Sequence, residues 1–205
     1  MEPKWLQWAK TLQSIAQNGL TFAQDPYDRE RYTQLQKLAA EIMSSYSGAD
    51  FAQVLDLFQR EEGYATPKVD VRAAVFRSNE ILMVREREDG CWSLPGGFAD
   101  VGEPPSQVAV REILEESGYR TRAVSLLAIY DRDRHKHPPL PFHAYKIFFQ
   151  CELLEENPAP HAECAEAAFF PQGRLPELSL TRVTEAEIAR MFDHLHNPSL
   201  PADFD

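Results

Sequence analysis

Three glutamates close together are the first feature of this sequence that could carry out chemistry. Glu112, Glu115 and Glu116 stand at positions i, i+3 and i+4, so a helix would place their carboxylates on one face. Like charges this close disfavour a helix unless cations neutralise them. Carboxylate oxygens in such a cluster suit Mg²⁺ or Mn²⁺. Taken alone, the commoner interpretation of such a cluster is an acidic helix face in contact with solvent.

A helix over residues 104–117 would carry these carboxylates. Gly118 is suited to end it, because glycine tolerates the left-handed conformation of a helix stop. The side opposite the glutamates is then apolar enough to pack on a sheet. Its members are Val110, Ile113, Leu114 and Ser117.

The first 63 residues are predicted to form a helical domain. The first helix ends at Asn18-Gly19, the second begins at Asp25-Pro26 and stops at Gly48, and a short third helix follows. Each helix carries an apolar stripe, and the members include Trp5, Trp8, Leu12, Ile15, Leu35, Leu38, Ile42, Tyr46, Val54 and Phe58. The apolar surface of these stripes is larger than three short helices can bury against one another. We therefore expect the domain to pack on a second copy of the chain as a homodimer, where it could also form a wall of the substrate pocket. The alternative is that it folds back on its own chain.

From residue 64 to residue 205 the pattern changes to short β-rich runs. We predict strands at 69–76, 81–85, 123–130, 144–153 and 167–170. A last helix begins at Thr184, where Glu187 three residues later completes a capping box. The change in pattern predicts a second domain over residues 64–205.

The composition is that of an ordinary globular protein, and it disfavours several classes of function. The chain has 205 residues, of which 43% are hydrophobic and 26% are charged. Its net charge of −11 argues against broad nucleic-acid binding, although metal ions could still admit a small anionic substrate. No apolar run reaches transmembrane length, and the start shows no signal-peptide pattern. Three widely spaced cysteines, Cys91, Cys151 and Cys164, suggest a reducing, cytoplasmic location.

The segment from Gly97 to Tyr119 resembles the Nudix box of the Nudix hydrolase family. That pattern is Gly, five residues, Glu, seven residues, Arg-Glu, an aliphatic residue, any residue, Glu-Glu, any residue, Gly and an aliphatic residue. Every fixed position matches, and these positions are Gly97, Glu103, Arg111, Glu112, Glu115, Glu116 and Gly118. The one departure is Tyr119 at the terminal aliphatic position, which is a packing place.

The resemblance implies both a fold and a reaction. The fold is of the α/β class, an α/β/α sandwich around a mixed sheet that covers about residues 66–195. The reaction is Mg²⁺-dependent hydrolysis of a nucleoside diphosphate linked to another group. The same resemblance implies that the Gly97 carbonyl joins the three carboxylates as a metal ligand, and that Glu103 and Arg111 support the loop and the helix.

Hydrolysis also needs a base that takes a proton from the attacking water. Glu116 can serve if metal binding does not occupy it fully. Glu166 is the rival, because it lies just before a predicted strand where many Nudix relatives carry a site glutamate. Glu163 is a weaker candidate.

Two further stretches resemble one Nudix subgroup with a helical N-terminal extension. They are residues 15–32 and residues 130–146. Members of that subgroup are commonly labelled ADP-ribose pyrophosphatases, and some cleave CDP-choline to CMP and phosphocholine. We rank CDP-choline first and ADP-ribose or a nucleotide sugar second. A non-enzymatic effector-binding regulator is disfavoured by the intact box, and an enzyme acting on RNA ends is disfavoured by the charge.

The loop in the second stretch supplies candidate substrate contacts. Its basic side chains could meet phosphate or base, and they are Arg132, Arg134, His135 and Lys136. Asp131 and Asp133 could meet a choline cation or ribose hydroxyls. Further candidates for phosphate contacts on the early strands are Arg72, Arg85 and Arg87. The alternatives are a solvated charged turn and ordinary surface arginines.

Overall fold

The computed structural model describes residues 2–155, 158 and 166–205. These divide into two units, Met1–Pro67 with Pro139–His143, and Lys68–Pro138 with Ala144–Asp205. Glu163 and Cys164 lie outside the described residues.

The first unit is built from three helices, α1 (Lys4–Phe22), α2 (Pro26–Ser47) and α3 (Phe51–Arg60). The bounds of α2 follow the sequence signals: the Asp25 carboxylate accepts two N–H groups of the first turn, and Gly48 ends the helix with a φ of 77°. The core of the unit combines small residues with a few large ones, namely Leu6, Ala9, Ala39, Ala40, Met43, Val54 and Phe58.

The first helix does not end at Asn18-Gly19, and that prediction is wrong. It continues to Phe22, and Gly19 lies where α1 passes the ring of Tyr32 in α2. A Cβ atom on residue 19 would lie 2.3 Å from Tyr32 Cδ1. The glycine therefore serves close packing between two helices rather than a left-handed helix stop.

The apolar stripes predicted for the first two helices are only partly buried within the unit. Trp8 and Ile15 are 59% and 47% exposed, and Leu38 and Tyr46 are exposed as well. The residues of α1 and α2 that are fully buried in the core of the unit include the alanines Ala9, Ala39 and Ala40. Several of the large side chains point outward.

Replacing Gly19 with alanine should lower the free energy of unfolding of the helical unit by about 1–3 kcal/mol, the usual cost of overpacking. The added methyl group would overlap the Tyr32 ring. Thermal and urea unfolding followed by circular dichroism measure the loss. In a Tyr32→Ala background the same change should cost clearly less, and an equal cost in both backgrounds would contradict the assignment.

The second unit is a mixed sheet with a helix on each face. Its strands are β1 (Lys68–Arg77), β2 (Glu80–Arg85), β3 (Trp92–Ser93), β4 (Gly96–Phe98), β5 (Thr121–Asp131), β6 (Ala144–Leu153), β7 (Glu166–Pro171) and β8 (Asp203–Phe204). Its helices are α4 (Pro105–Ser117) and α5 (Glu185–His196). The strand order is β3-β2-β1-β6-β5-β8, with β4 also paired to β1 and β7 to β2. The β1–β6 and β5–β8 pairs are parallel, and the other pairs are antiparallel.

Alternation along β1 separates the two layers of the core. Val71, Ala73 and Val75 join the cluster that includes α4, whereas Ala74 joins the cluster that includes α5. The α/β/α sandwich that the resemblance implied is thereby confirmed, together with the helical region before it. Among the described residues, no helix has both the length and the apolar character needed to cross a membrane.

Two local expectations for this unit are wrong. Leu114 is 41% exposed instead of packed on the sheet, because it lies about 100° around the helix from Ile113. The sheet-facing side of α4 consists of Val108, Ala109, Ile113 and Ser117. Arg87 lies in the turn after β2 and not on a strand.

Candidate active site

A close approach between β4 and β1 creates the floor of the candidate site. Gly96 pairs with Arg72 and Gly97 with Val71. A Cβ atom on residue 96 would lie 2.0 Å from the Val71 carbonyl oxygen, and Gly96 has a φ of 147°. Only glycine fits this position without moving the two backbones apart.

Two of the three box carboxylates on α4 lie against these glycines. The Gly96 N–H donates a hydrogen bond of 2.8 Å to Glu116 Oε2. Glu112 Oε1 lies 2.6 Å from where a Cβ atom of residue 97 would be. The apolar side of α4 holds the helix on the sheet, so both carboxylates converge on the backbone of β4. Glu115 differs, because its side chain is 41% exposed and turned to Arg111.

Arg111 joins the carboxylates of this region into one network. Its guanidinium donates to both oxygens of Glu103, with Nε 3.0 Å from Oε1 and Nη2 3.0 Å from Oε2. Its Nη1 lies 3.0 Å from Glu112 Oε1 and 2.7 Å from Glu115 Oε2. The hydrogen bonds that Arg111 donates to Glu103 and Glu115 raise the pKa of Arg111 above its ordinary value. A permanent cation therefore offsets part of the repulsion within the cluster.

Burial opposes ionisation of two of these carboxylates, as their raised pKa values show. Burial raises the pKa of Glu116 to about 7, although the charge of Arg72 and the Gly96 hydrogen bond act in the opposite direction. Burial also raises the pKa of Glu112. A bound cation would favour the ionised form of these two carboxylates, and hard oxygen donors match a hard divalent cation. The groups that could hold one are the carboxylates of Glu112, Glu115 and Glu116 with the Gly97 carbonyl.

Arg72 is near this site but is committed to internal contacts. It is 6% exposed, and its Nε and Nη2 lie 3.0 and 2.9 Å from Asp70 Oδ1. Its Nη1 donates to the Leu94 carbonyl at 3.2 Å. The prediction that Arg72 contacts phosphate gains no support from this arrangement, because its guanidinium N–H groups already bind Asp70 and the Leu94 carbonyl.

The strand β7 places Glu166 opposite Arg85 of β2. The two residues pair in register, and Arg85 Nη1 lies 3.8 Å from Glu166 Oε2. Both side chains are about half exposed. Arg85 also donates from Nε to the Gly90 carbonyl at 2.8 Å. Glu166 therefore differs from Glu116, which is partly buried beneath β4.

In the loop after β5, several residues predicted to contact substrate instead make contacts within the protein. Arg132 is 2% exposed and donates to the carbonyls of Pro138 and Thr181 at 2.8 and 2.9 Å, so it is a buried anchor and not an open phosphate contact. His135 stacks on Tyr130 with ring centroids 3.9 Å apart. The remaining predicted members are Asp131 and Asp133, which are half-buried, and Arg134 and Lys136, which are exposed.

A buried charged cluster on the α5 face was missed from the sequence. Lys146 lies 3.6 Å from Glu187 and 3.8 Å from Asp70, and its ammonium donates to the Arg182 carbonyl. His137 Nε2 lies 2.9 Å from Glu187 Oε1. Burial opposes ionisation of Glu187, but Lys146 and His137 lower its pKa to about 2. Charged residues inside otherwise apolar strands, such as Asp70 and Lys146, were the available signal.

Family comparison assigns both parts of the sequence. Residues 66–192 match the NUDIX domain, and residues 3–58 match a family described as "UDP-X-like, N-terminal oligomerisation domain". The chain belongs to the Nudix family. The Nudix domain contains all of the box residues described above, from Gly97 to Gly118.

Individual relatives of this Nudix protein carry names of pyrophosphatases. It is 49% identical over 205 residues to "Putative ADP-ribose pyrophosphatase YjhB" of Bacillus subtilis (strain 168), covering 100% of this chain and 99% of that protein. It is 33% identical over 122 residues to an ADP-ribose pyrophosphatase of Methanocaldococcus jannaschii, covering 57% of this chain and 69% of that protein. It is similar to the crystal structure of a UDP-X diphosphatase, with a TM-score of 0.63, 32% identity and 98% of each chain covered. A solved ADP-ribose pyrophosphatase from Streptococcus suis 89-1591 gives a TM-score of 0.61 and 36% identity, covering 68% of this chain and 100% of that one.

The raised pKa of Glu116 predicts a pH-dependent loss of stability in metal-free protein. The folded state holds the Glu116 proton up to about pH 7, whereas the ordinary carboxyl pKa is 4.5. The protonated Glu116 carboxyl therefore contributes fully to the free energy of unfolding below pH 4.5, and this contribution is lost as the pH rises to 7. In EDTA at pH 8, Glu116→Gln should melt roughly 5 °C or more above the unmodified protein.

The matched control is Glu115→Gln, which alters an exposed carboxylate on the same helix. It should leave the pH dependence of the melting temperature unchanged. Mg²⁺ should raise the melting temperature of the unmodified protein more than that of Glu116→Gln, because this variant lacks one of the proposed ligands. A pH profile that is identical for Glu116→Gln and unmodified protein would contradict the assignment.

Proposed function

We propose that the Nudix domain of this chain is a Mg²⁺-dependent pyrophosphohydrolase that acts on a nucleoside diphosphate linked to another group, with CDP-choline the preferred substrate. The convergence of Glu112 and Glu116 on the two glycines of β4 is the observation that carries the proposal. This arrangement concentrates hard oxygen ligands at one point of a protein whose net charge is −11. Such a protein needs bound cations to accept a diphosphate.

The chain's own residues would hold and orient the reacting groups. Glu112, Glu115 and Glu116, with the Gly97 carbonyl, would bind Mg²⁺, and Mn²⁺ could replace it. When bound, the cations would neutralise phosphate oxygens and lower the pKa of a water molecule. Arg111 holds Glu112 and Glu115 in place, and Glu103 holds Arg111.

Glu116 is the better candidate for the base, and Glu166 is the weaker one. Glu116 uses Oε2 for the Gly96 N–H, and it lies within the carboxylate cluster. Glu166 lies on β7 opposite Arg85, and its side chain is 56% exposed. A proton acceptor must be within hydrogen-bond reach of the attacking water. Location in the cluster therefore favours Glu116.

The choice of substrate rests on two kinds of support. The names of two relatives point to ADP-ribose, and the name of one solved structure points to a UDP-linked compound. CDP-choline rests on the resemblance of residues 15–32 and 130–146 to a subgroup in which some members cleave it. Asp131 and Asp133 of the second stretch could meet the choline cation. We place the enzyme in the cytoplasm, where thiols such as those of Cys91 and Cys151 remain reduced.

A substrate panel tests the reaction and the preference together. Purified protein with MgCl₂ should hydrolyse CDP-choline, ADP-ribose and UDP-sugars, with kcat/KM highest for CDP-choline. Glu116→Gln should lower kcat by at least about 100-fold, the scale expected for loss of a key electrostatic or proton-transfer group. Chromatography of CMP and phosphocholine identifies the bond that is broken. Absence of Mg²⁺-dependent turnover on the whole panel would favour an effector-binding regulator and overturn the proposal.

Glu166→Gln is the matched comparison for the base. With Glu116 as base, it should keep kcat within about threefold of the unmodified enzyme. A large fall in kcat at an unchanged Mg²⁺ requirement would instead assign the proton transfer to Glu166.

We also propose that the helical unit makes the protein a homodimer. Trp8, Ile15 and Phe22 recur every seven residues along α1, and their side chains are 59%, 47% and 65% exposed. Seven-residue spacing keeps apolar side chains on one side of a helix, as in helix pairs between subunits. The family description of residues 3–58 as an oligomerisation domain supports the same assignment.

Trp8→Ser with Ile15→Ser should convert the dimer to a monomer at micromolar concentration, as measured by sedimentation velocity. Both side chains are already outside the core of the unit, so its helicity should persist in circular dichroism. Leu154→Ser, at an exposed leucine outside the helical unit, should leave the dimer intact. A monomeric unmodified protein would refute the proposal.

A further inference from the structure

The short strand β8 attaches the end of the described chain to the edge of the sheet beside the loop at residues 131–137. It pairs in parallel with β5, Asp203 opposite Ala128 and Phe204 opposite Ile129. Two aspartates, Asp203 and Asp205, flank Phe204. Their carboxylates contact groups at and after the end of β5, so β8 and this loop form one assembly.

Asp203 links β5 to α5. One of its carboxylate oxygens accepts a hydrogen bond of 3.0 Å from the Tyr130 hydroxyl, and the other accepts one of 2.8 Å from Arg190 Nη2. The Nε of Arg190 donates to the carboxylate as well, and His194 Nε2 lies 3.4 Å away. The Arg190 hydrogen bonds lower the pKa of Asp203 to about 2. This carboxylate is therefore a charged anchor at neutral pH.

Asp205 holds the beginning of the loop itself. The backbone N–H of Asp131 donates to Asp205 Oδ2 at 2.6 Å. The His135 Nε2 lies 3.0 Å from Oδ1 and 3.2 Å from Oδ2 of the same carboxylate. The imidazole of His135 also stacks on Tyr130, with an angle of 23° between the rings. One carboxylate thus contacts both the first residue of the loop and its fifth.

The other side of the loop is fastened to residues 180 and 181. Arg132 donates to the Thr181 carbonyl, and His137 Nδ1 lies 2.8 Å from the Leu180 carbonyl oxygen. Between these two anchors, Arg134 and Lys136 are exposed, and the Arg134 side chain remains 70% exposed although its Nε lies 3.9 Å from Asp131 Oδ2. Lys136 has a φ of 59°, a left-handed conformation that a non-glycine residue keeps only when its surroundings impose it.

We propose that Asp205 is a positioning residue for substrate recognition, because it imposes the loop conformation that presents Arg134 and Lys136 to the anionic part of the substrate. This inference rests on the proposed function. Arg132 and His135, the other basic candidates in this loop, are occupied by internal contacts. In a protein with a net charge of −11, two exposed cations on one anchored loop are suited to an incoming phosphate group.

The test compares Asp205→Ala and Asp205→Asn with the unmodified protein. Two quantities are measured: the KM and kcat for the substrate that the panel identifies, and the Kd for CDP in Mg²⁺ by calorimetry. Asp205→Ala should raise both KM and Kd about tenfold and leave kcat and the Mg²⁺ requirement within about twofold. Asp205→Asn keeps an acceptor for the Asp131 N–H, so it should raise KM and Kd only about threefold. The control is Asp193→Asn, an exposed carboxylate on α5 that pairs with Arg190 instead of the loop, and it should change neither quantity.

A double-mutant cycle separates positioning from a general structural role. If Asp205 acts through the loop, Asp205→Ala should have no further effect on KM or Kd once Arg134 and Lys136 are both alanine. Additive effects, or an unchanged Kd in Asp205→Ala, would overturn the inference. If the unmodified protein binds CDP but hydrolyses none of the panel, the proposed function fails while the Kd series still decides the role of Asp205. An unmodified protein that neither binds nor hydrolyses would overturn both.

Discussion

The close approach of β4 to β1 is the constraint on which the candidate site depends. The backbone at Gly96 comes so near to Val71 that a side chain is excluded, and the Ala73 N–H donates to the Pro95 carbonyl at 2.9 Å just before it. This contact fixes the two glycines in space. The helix α4 is then placed by its apolar side, and Glu112 and Glu116 reach the glycine backbone without further adjustment.

The placement of α4 on β1 and β4 also determines which charges lie near the candidate site. The carboxylates of α4 are partly compensated by Arg111, and the buried cation of Arg72 lowers the pKa of Glu116 as well. Several of the basic side chains that could have met a ligand are used to hold the protein together, as Arg132 and Lys146 show. The positive charge of these two buried side chains is therefore not available to an anionic ligand. A bound cation and a few exposed side chains would have to supply it.

Local signals predicted much of the fold, and tertiary contacts account for the misses. Asp25, Gly48 and the Thr184–Glu187 capping box mark helix ends through contacts within a few residues, and all three were predicted correctly. In the sequence, Gly19 looks like a helix stop such as Gly48. The position requires glycine because the ring of Tyr32 lies against it, and only the folded structure brings that ring near.

The site shows the same division between local and long-range information. The spacing of the box placed the carboxylates on one helix face, because that geometry is local to α4. The burial of Arg132 depends on the Thr181 carbonyl, 49 residues away, and no pattern around Arg132 reveals it. Strands of two or three residues, such as β3, β4 and β8, exist only through their pairing partners, so periodicity cannot detect them.

The outer edge of β5 raises the question of how this sheet avoids pairing with other molecules. Val124, Leu126 and Ile129 on that strand are 47%, 38% and 41% exposed, a composition that favours edge-to-edge aggregation. Register shifts between Ala123 and Ser125 and between Leu126 and Ala128 interrupt its pairing with β6 and bend the strand, while β8 covers the backbone at Ala128 and Ile129. The two-residue strand β8 thus also covers part of an aggregation-prone strand edge. Loss of that cover would expose an unpaired ladder of N–H and C=O groups and favour insoluble assemblies of otherwise folded molecules.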